Sequence, residues 1–417
     1  MVAAAILAER RPAVSERRSA VSQRRSTVSQ HRSAVSERRS DGAGDGCGRG
    51  DRRHTGLVKV VVTGASGSVG TALLRCPGIE NWELTGIARR RPPARQPYAR
   101  ARWIDCDIGD PAAVPVLTEA FTAASAVVHL AWAVHPRRTD PPMNRTNEAG
   151  TEHVLRAAVA AGVAQLVCAS SVAAYTPADR WTRVEETHPR AGVPGSAYSL
   201  GKAALETRLD EFEHRQPGIR VARIRPCGIV QGDAAAELGD WLLSPWLPRS
   251  VIGCRALPVP LWKDLRLQLV HAADVATAIR AILRDRAVGA FDLAAEPVLS
   301  APTLASLFGG FRAPVPRAVL TTGAGPTWRL GLQPLHPAWL GLADRACLVA
   351  AGRAGRELGW VPEYDAVTAC RELAAAMRAD RPGPSPPLAP VRPRLRFGQP
   401  THQDQRPERS RAAESGG

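Results

Sequence analysis

A nearly continuous β-branched run, Leu57–Thr63, leads straight into Thr63-Gly64-Ala65-Ser66-Gly67-Ser68-Val69-Gly70. An apolar run of this kind suits a strand buried on both faces of a parallel sheet. The glycines that follow permit a tight turn, a close approach of backbone to a pyrophosphate, and close packing of the next helix on the sheet. That helix, expected over Val69–Arg75, would aim its free amides and positive end at the phosphates. A merely flexible turn would not require this strand–loop–helix context. The chain is therefore expected to bind a dinucleotide through Thr63, Gly64, Ser66, Gly67, Ser68, Val69 and Gly70.

Strand and helix patterns go on alternating. Strands are expected at Trp82–Ala88, Arg102–Asp105, Ala126–Leu130, Gln165–Ala169 and Ile219–Ile224, with helices at Glu148–Ala161 and Ala197–His214. This βαβ order implies an α/β fold, a doubly wound parallel Rossmann sheet. After about Gln231 the pattern turns irregular and rich in Trp and Pro, which reads as a smaller C-terminal substrate-binding lobe. The expected domains are a Rossmann domain over 57–235 and a substrate lobe over 236–378 that returns once to the sheet. An Arg/Ser-rich tail and linker precede them (1–56), and a Pro/Arg-rich tail follows (379–417). The first tail repeats with a period of seven, but only Val recurs at an apolar position. Such a face buries too little to offset chain entropy, so both tails are expected to be disordered. The abrupt onset of the folded pattern at Leu57 points to translation from upstream of the natural start.

Composition excludes several classes. No run of eighteen apolar residues suggests a membrane span, and the first residues lack the charge order of a signal peptide. Eight cysteines stand singly, without metal-ligand spacing, so no metal is expected and a reducing cytoplasm is the simplest location. The net charge of +16 invites a nucleic-acid reading. Much of that excess lies in the two tails and the rest is spread thinly, so a small-molecule substrate is favoured over nucleic acid.

Almost all the basic residues are Arg; Lys occurs only at Lys59, Lys202 and Lys263. One of these follows a tyrosine by four positions in Tyr198-Ser199-Leu200-Gly201-Lys202, which puts both on one helix face. A phenol with an ordinary pKa near ~10 needs a neighbouring cation to act as a base at neutral pH. Ser170-Ser171 closes the fifth strand at the edge where parallel sheets present their sites, and its hydroxyl can orient a substrate oxygen. At the end of the second strand stands Arg89-Arg90-Arg91 instead of a carboxylate. Guanidinium groups suit a 2′-phosphate, so NADP is favoured over NAD, with Arg89 the candidate ligand.

Together these motifs resemble the extended short-chain dehydrogenase/reductase superfamily, the NAD-dependent epimerase/dehydratase group, over about Leu57 to Met377. The family's glycine motif matches Thr63–Gly70, its adenine-binding Asp matches Asp107 followed by Ile108, and its H-x-A matches His129-Leu130-Ala131. Its N-x-x-G-T matches Asn147–Thr151, making Asn147 a structural or proton-relay candidate. Its S-S-x-x-x-Y matches Ser170–Tyr175 and its Y-x-x-x-K matches Tyr198 and Lys202. Its R-P motif begins at Arg225-Pro226, its V-H-x-x-D-V-A matches Val270–Ala276, and its L-G-W-x-P matches Leu358–Pro362. The resemblance implies NAD(P)-dependent hydride transfer at a carbinol or keto carbon. Ser171, Tyr198 and Lys202 would be catalytic. Ser170, Tyr198, Lys202 and Pro226 would also border the cofactor. It allows a homodimer through the helices at Glu148–Ala161 and Ala197–His214.

Departures narrow the substrate. The family's sugar-nucleotide dehydratases place Asp-Glu after the catalytic hydroxyl residue; here Val172-Ala173 follow Ser171. Its UDP-sugar epimerases carry an Asn where this chain has Gly228 and an Arg where it has Leu267, leaving Arg266 as the nearby substitute. Trp132, Trp181, Trp241 and Trp262 either line an apolar pocket or belong to the core. An oxidoreductase of a small molecule is the leading reading. A UDP-sugar 4-epimerase holding NAD and a noncatalytic NAD(P)-sensing protein are the alternatives.

Overall fold

The computed structural model describes residues 58–134 and 144–389. The seven-residue repeat, the linker and the chain beyond 389 lie outside the described residues. The strands in chain order are β1 (Val58–Thr63), β2 (Trp82–Ala88), β3 (Ala101–Asp105), β4 (Ala126–His129), β5 (Gln165–Ala169), β6 (Arg183–Val184), β7 (Arg220–Pro226), β8 (Gly228–Val230), β9 (Pro258–Leu261), β10 (Arg266–His271), β11 (Gly289–Leu293), β12 (Ala295–Ser300), β13 (Phe311–Pro314) and β14 (Leu348–Val349). The helices are α1 (Ser68–Arg75), α2 (Ala113–Phe121), α3 (Gly150–Ala160), α4 (Ala197–Arg215), α5 (Ala235–Leu242), α6 (Ala272–Asp285), α7 (Ala301–Leu307), α8 (Arg317–Arg329), α9 (Pro337–Arg345), α10 (Gly352–Leu358) and α11 (Ala366–Arg378).

β1 sits inside a seven-stranded sheet of order β11-β7-β5-β4-β1-β2-β3. Every pairing in it is parallel. Alternation along β1 explains the two faces. Val60 and Val62 pack in one apolar cluster with Leu73 of α1 and Ile279 of α6. Val61 packs in the other with Leu117 of α2, Val154 of α3 and Leu209 of α4. All of these are essentially fully buried, each worth about 1.5–3 kcal/mol against exposure. The strand order reverses between β1 and β4, so the crevice of a doubly wound sheet opens at their carboxyl ends.

The return of the later chain to the sheet is β11, which pairs with the edge of β7. The remaining strands form a three-stranded sheet (β12-β10-β8) and two short pairs, β13-β9 and β14-β6. α5, α7 and α11 pack there around Trp262, Leu299 and Leu373. The segment expected to lack structure from 379 onward is, as far as 389, packed on the rest: Ser385 and Leu388 are buried. Three of the four singled-out tryptophans do not line a shared pocket. Trp262 is buried and borders a cavity with Arg180 and Arg317, Trp181 is exposed and Trp241 is half-buried.

Among the described residues no helix is long and apolar enough to cross a membrane. Nor, among those residues, does any group of three or more His, Cys, Asp or Glu form a metal site. The described cysteines are all unpaired.

Candidate active site

The glycine loop leaves β1 at Thr63 and enters α1 at Ser68. Gly64 has φ +71°, and a Cβ there would lie 2.6 Å from the Ala131 amide nitrogen. Only glycine lets the loop come this close to the end of β4. Gly67 N-caps α1 without a side-chain hydrogen bond. The first-turn amides, those of Ser68 and Val69 included, are therefore left for a ligand. The loop's carbonyl side is held from elsewhere. Gln231 Nε2 donates to the backbone oxygen and hydroxyl of Ser68 at 3.0 Å each. The hydroxyl of Ser385 donates to the Ser66 carbonyl at 2.6 Å.

The strand register brings the other motifs to the same edge. Thr63 lies beside His129, His129 beside Cys168, and Ala169 beside Ile224. His129 is turned inward. One ring nitrogen meets the Thr63 hydroxyl at 2.7 Å and the other meets Thr151 at 3.1 Å. Burial, with the Lys202 charge second, pushes its pKa down to about 3. Its ring ties β1 and β4 to α3, so it borders the crevice with backbone only. In the unfolded chain this histidine titrates near ~6.5. Between that pH and about 3 the unfolded chain therefore carries a proton that the folded chain lacks. Its stabilisation is whole above the upper value and is lost as pH falls. From pH 7 to 4.5 we expect a drop on the order of 2–3 kcal/mol from this site. Urea titrations of the protein and of His129→Asn at both pH values check this; equal pH dependence in the two would remove it.

Other expected cofactor residues are partly occupied. The Asp107 carboxylate accepts from the Gly109 amide at 3.1 Å and pairs with Arg145 at 3.0 Å. Ile108 is buried against Gly150. Leu130 and Ala131 are half-buried at the crevice. At the end of β2, Arg91 pairs with Asp105 at 3.1 Å, whereas Arg89 is exposed and has no charged partner among the described residues. Asn147 lies in a π-helical turn, Arg145–Ala149, ahead of α3. Its amide clamps Ala133 at both ends, accepting from the nitrogen at 2.7 Å and donating to the oxygen at 3.0 Å. Both halves of that amide are spent on fixing the loop after β4.

Ser171 lies two residues beyond the end of β5 and caps a single helical turn, its Oγ accepting from the Ala173 amide at 3.1 Å. It also donates to the Pro226 carbonyl at 3.4 Å. Burial raises the Tyr198 pKa, and Ser171 opposes that rise. The phenol packs on Trp339 of α9, with ring centroids 5.3 Å apart. Lys202, one turn on, is 3% exposed, and its Nζ donates to the Ala169 carbonyl at 2.8 Å. The amine lies 3.5 Å from the centroid of Trp132. Burial pulls its pKa down to about 7, opposed by Cys168 and Glu206. The amine and the phenol thus share a helix face, but the amine turns toward β5 and Trp132 while the phenol ring packs on Trp339. The phenol is not acidified as the spacing alone suggested.

Beneath this pair lies a charged layer centred on Glu206, a residue that motif reading did not single out. Glu206, fully buried, takes two hydrogen bonds from Arg225 at 2.8 Å each. Arg223 at 3.1 Å and Arg190 at 3.0 Å complete its shell. Burial alone would raise the Glu206 carboxyl; the arginines, Arg225 foremost, hold it at about 2. Arg225 also donates to the Tyr175 hydroxyl at 2.8 Å, which in turn donates to Asp292 at 2.8 Å. Burial first and the Glu186 charge second push Asp292 up to about 8. The signal for Glu206 was available, since it lies four residues after Lys202 on the same face. Trp339 carried no signal, being far along an irregular stretch. Arg266, the expected substitute for a diphosphate-binding arginine, is buried and donates to the carbonyls of Arg180, Asp344 and Ala346.

Comparison with known proteins agrees with this architecture. The chain is 26% identical over 234 residues to a ceramide reductase of Caulobacter vibrioides, covering 56% of this chain and 63% of that one. It is 27% identical over 181 residues to 4-hydroxy-2-methyl-3-oxo-4-farnesyl-3,4-dihydroquinoline-1-oxide ketoreductase of Stigmatella aurantiaca, covering 43% and 53%. The matches thus span about half to two thirds of these relatives. A crystal structure of Thermus thermophilus UDP-glucose 4-epimerase in complex with NAD superposes with a TM-score of 0.58 at 19% identity, covering 77% of this chain and 99% of that one. That likeness concerns the fold. The model of the NAD dependent epimerase/dehydratase family matches residues 60–293, more than half of the chain. With the glycine loop, the sheet order and this match together, the chain belongs to the NAD dependent epimerase/dehydratase family.

Proposed function

We propose that this protein is an NADP(H)-preferring reductase of an apolar ketone, working through Ser171, Tyr198 and Lys202. The observation that carries the reading is that α4, with Tyr198 and Lys202, is tied to the carboxyl edge of β5 where Ser171 caps the next turn: the Ser199 hydroxyl donates to the Ala173 carbonyl at 2.5 Å and Lys202 Nζ to the Ala169 carbonyl at 2.8 Å. The loop fits a dinucleotide because Gly64, at φ +71°, makes the tight turn and α1 begins without a side-chain cap. The amides of Ser68 and Val69 would hold the pyrophosphate, Lys202 the nicotinamide ribose and Arg89 a 2′-phosphate. A bound nicotinamide supplies hydride.

The chain's own residues do the rest. Ser171 orients the substrate oxygen, and Tyr198 gives it a proton. A phenol raised by burial stays protonated at neutral pH, which suits donation to a ketone. Trp339 offers an apolar wall beside it. The two relatives named as reductases support this direction. The epimerase alternative is disfavoured because Arg266 is committed to backbone carbonyls and Gly228 stands where a gripping Asn is expected.

NADPH oxidation against a panel of apolar ketones tests the reading. Arg89→Ala should raise the KM for NADPH about tenfold, the worth of one charge-assisted contact, and leave NADH nearly unchanged. Tightly retained NAD with no ketone draining NADPH would overturn it in favour of the epimerase.

A further inference from the structure

The chain leaves α11 through Asp380, whose φ is +51°, and then runs back toward the glycine loop. The segment reads Arg381-Pro382-Gly383-Pro384-Ser385-Pro386-Pro387-Leu388-Ala389. It folds on itself, with the amides of Leu388 and Ala389 donating to the Ser385 carbonyl at 3.1 and 2.9 Å. A Cβ on Gly383 would run into the backbone of Leu388, so the turn needs glycine at that position. Leu388 is fully buried and Ser385 nearly so. The Ser385 hydroxyl donates to the carbonyl of Ser66, 319 residues earlier, at 2.6 Å. Ser66 is itself 3% exposed, although it stands in a loop otherwise open enough to receive a ligand.

We infer that residues 381–389 form a latch on the dinucleotide cleft, which sets how fast the dinucleotide enters and leaves. The inference rests on the reading of the glycine loop as the dinucleotide site. A loop that wraps a pyrophosphate must open for the ligand to pass. Ser385 ties that loop to a segment anchored by Leu388, so opening must break the hydrogen bond or withdraw an apolar anchor. Four prolines stiffen the segment and lower the entropy cost of keeping it docked. The latch contacts a carbonyl of the loop and leaves its amides free for phosphate. It therefore slows both directions of exchange and changes equilibrium affinity less than either rate.

Stopped-flow binding of NADPH and of NADH to the full chain, followed by energy transfer from tryptophan, tests this. Combined Ser385→Ala and Leu388→Asp should speed both association and dissociation at least about tenfold, the least that withdrawing a buried leucine implies. Amide exchange of the Ser66–Val69 segment without ligand should rise in parallel. Ser385→Ala alone removes one hydrogen bond with little risk to the fold and should speed exchange several-fold. Rates within twofold of the parent in Ser385→Ala, with an unchanged thermal midpoint, overturn the latch and leave the dinucleotide site standing. Failure of the parent chain to bind either dinucleotide overturns the site and the latch together.

Discussion

Replacing Tyr198 by Phe should lower ketone turnover by about 10³-fold, in the middle of the range for losing a positioned general acid. NADPH affinity should stay within about twofold, because the exchange removes one oxygen and keeps the ring. That ring packs on Trp339, so the helix and its neighbours should not move. Burial raises the pKa of the phenol and keeps it protonated. Phenylalanine leaves Ser171 able to hold the substrate oxygen but with no proton to offer beside it. The loss should appear equally in kcat and kcat/KM, as expected for an interaction made only in the transition state. Ser171→Ala should cost less, on the order of 10²-fold, by removing one donor to the developing charge. Full turnover in Tyr198→Phe would dismiss the mechanism whatever the state of the other two residues.

The second large effect concerns stability. Glu206→Leu should cost about 3–5 kcal/mol, the usual result of breaking a buried ion pair from one side. Arg223 and Arg225 would keep their charges with side chains 5% and 2% exposed, and with their main counter-ion gone. Arg225 would retain Tyr175 and the Glu186 carbonyl, and Arg223 would retain Asp210 and Glu213, so collapse is not expected. A fall in thermal midpoint on the order of 10 °C follows for a domain of this size. The same layer binds α4 to β7, and α4 carries Tyr198 and Lys202. Turnover at low temperature should therefore fall as well, though less than in Tyr198→Phe. Glu206→Gln should be milder than Glu206→Leu, because an amide can still accept from Arg225. An unshifted melting curve for Glu206→Leu would show that the charged layer does not hold the helix.

The local pattern of the chain determined most of the sheet. Trp82–Ala88 and Gln165–Ala169 form strands with the bounds the sequence pattern indicates. The Thr63–Gly70 loop and the four-residue step from Tyr198 to Lys202 were equally visible, since both are periodicities of the backbone itself. Those periodicities fix which face a side chain leaves from, but not what it meets. Packing of distant segments decided that Lys202 turns to Ala169 and Trp132, that Trp339 covers Tyr198 and that His129 spends its ring on two threonines. It also decided that a proline-rich end, composed like a loose tail, is seated on Ser66. Each of these contacts is selected by shape and desolvation in the assembled fold, among partners scattered along the chain. No spacing along the sequence encodes them, because their energy exists only once the layers have closed.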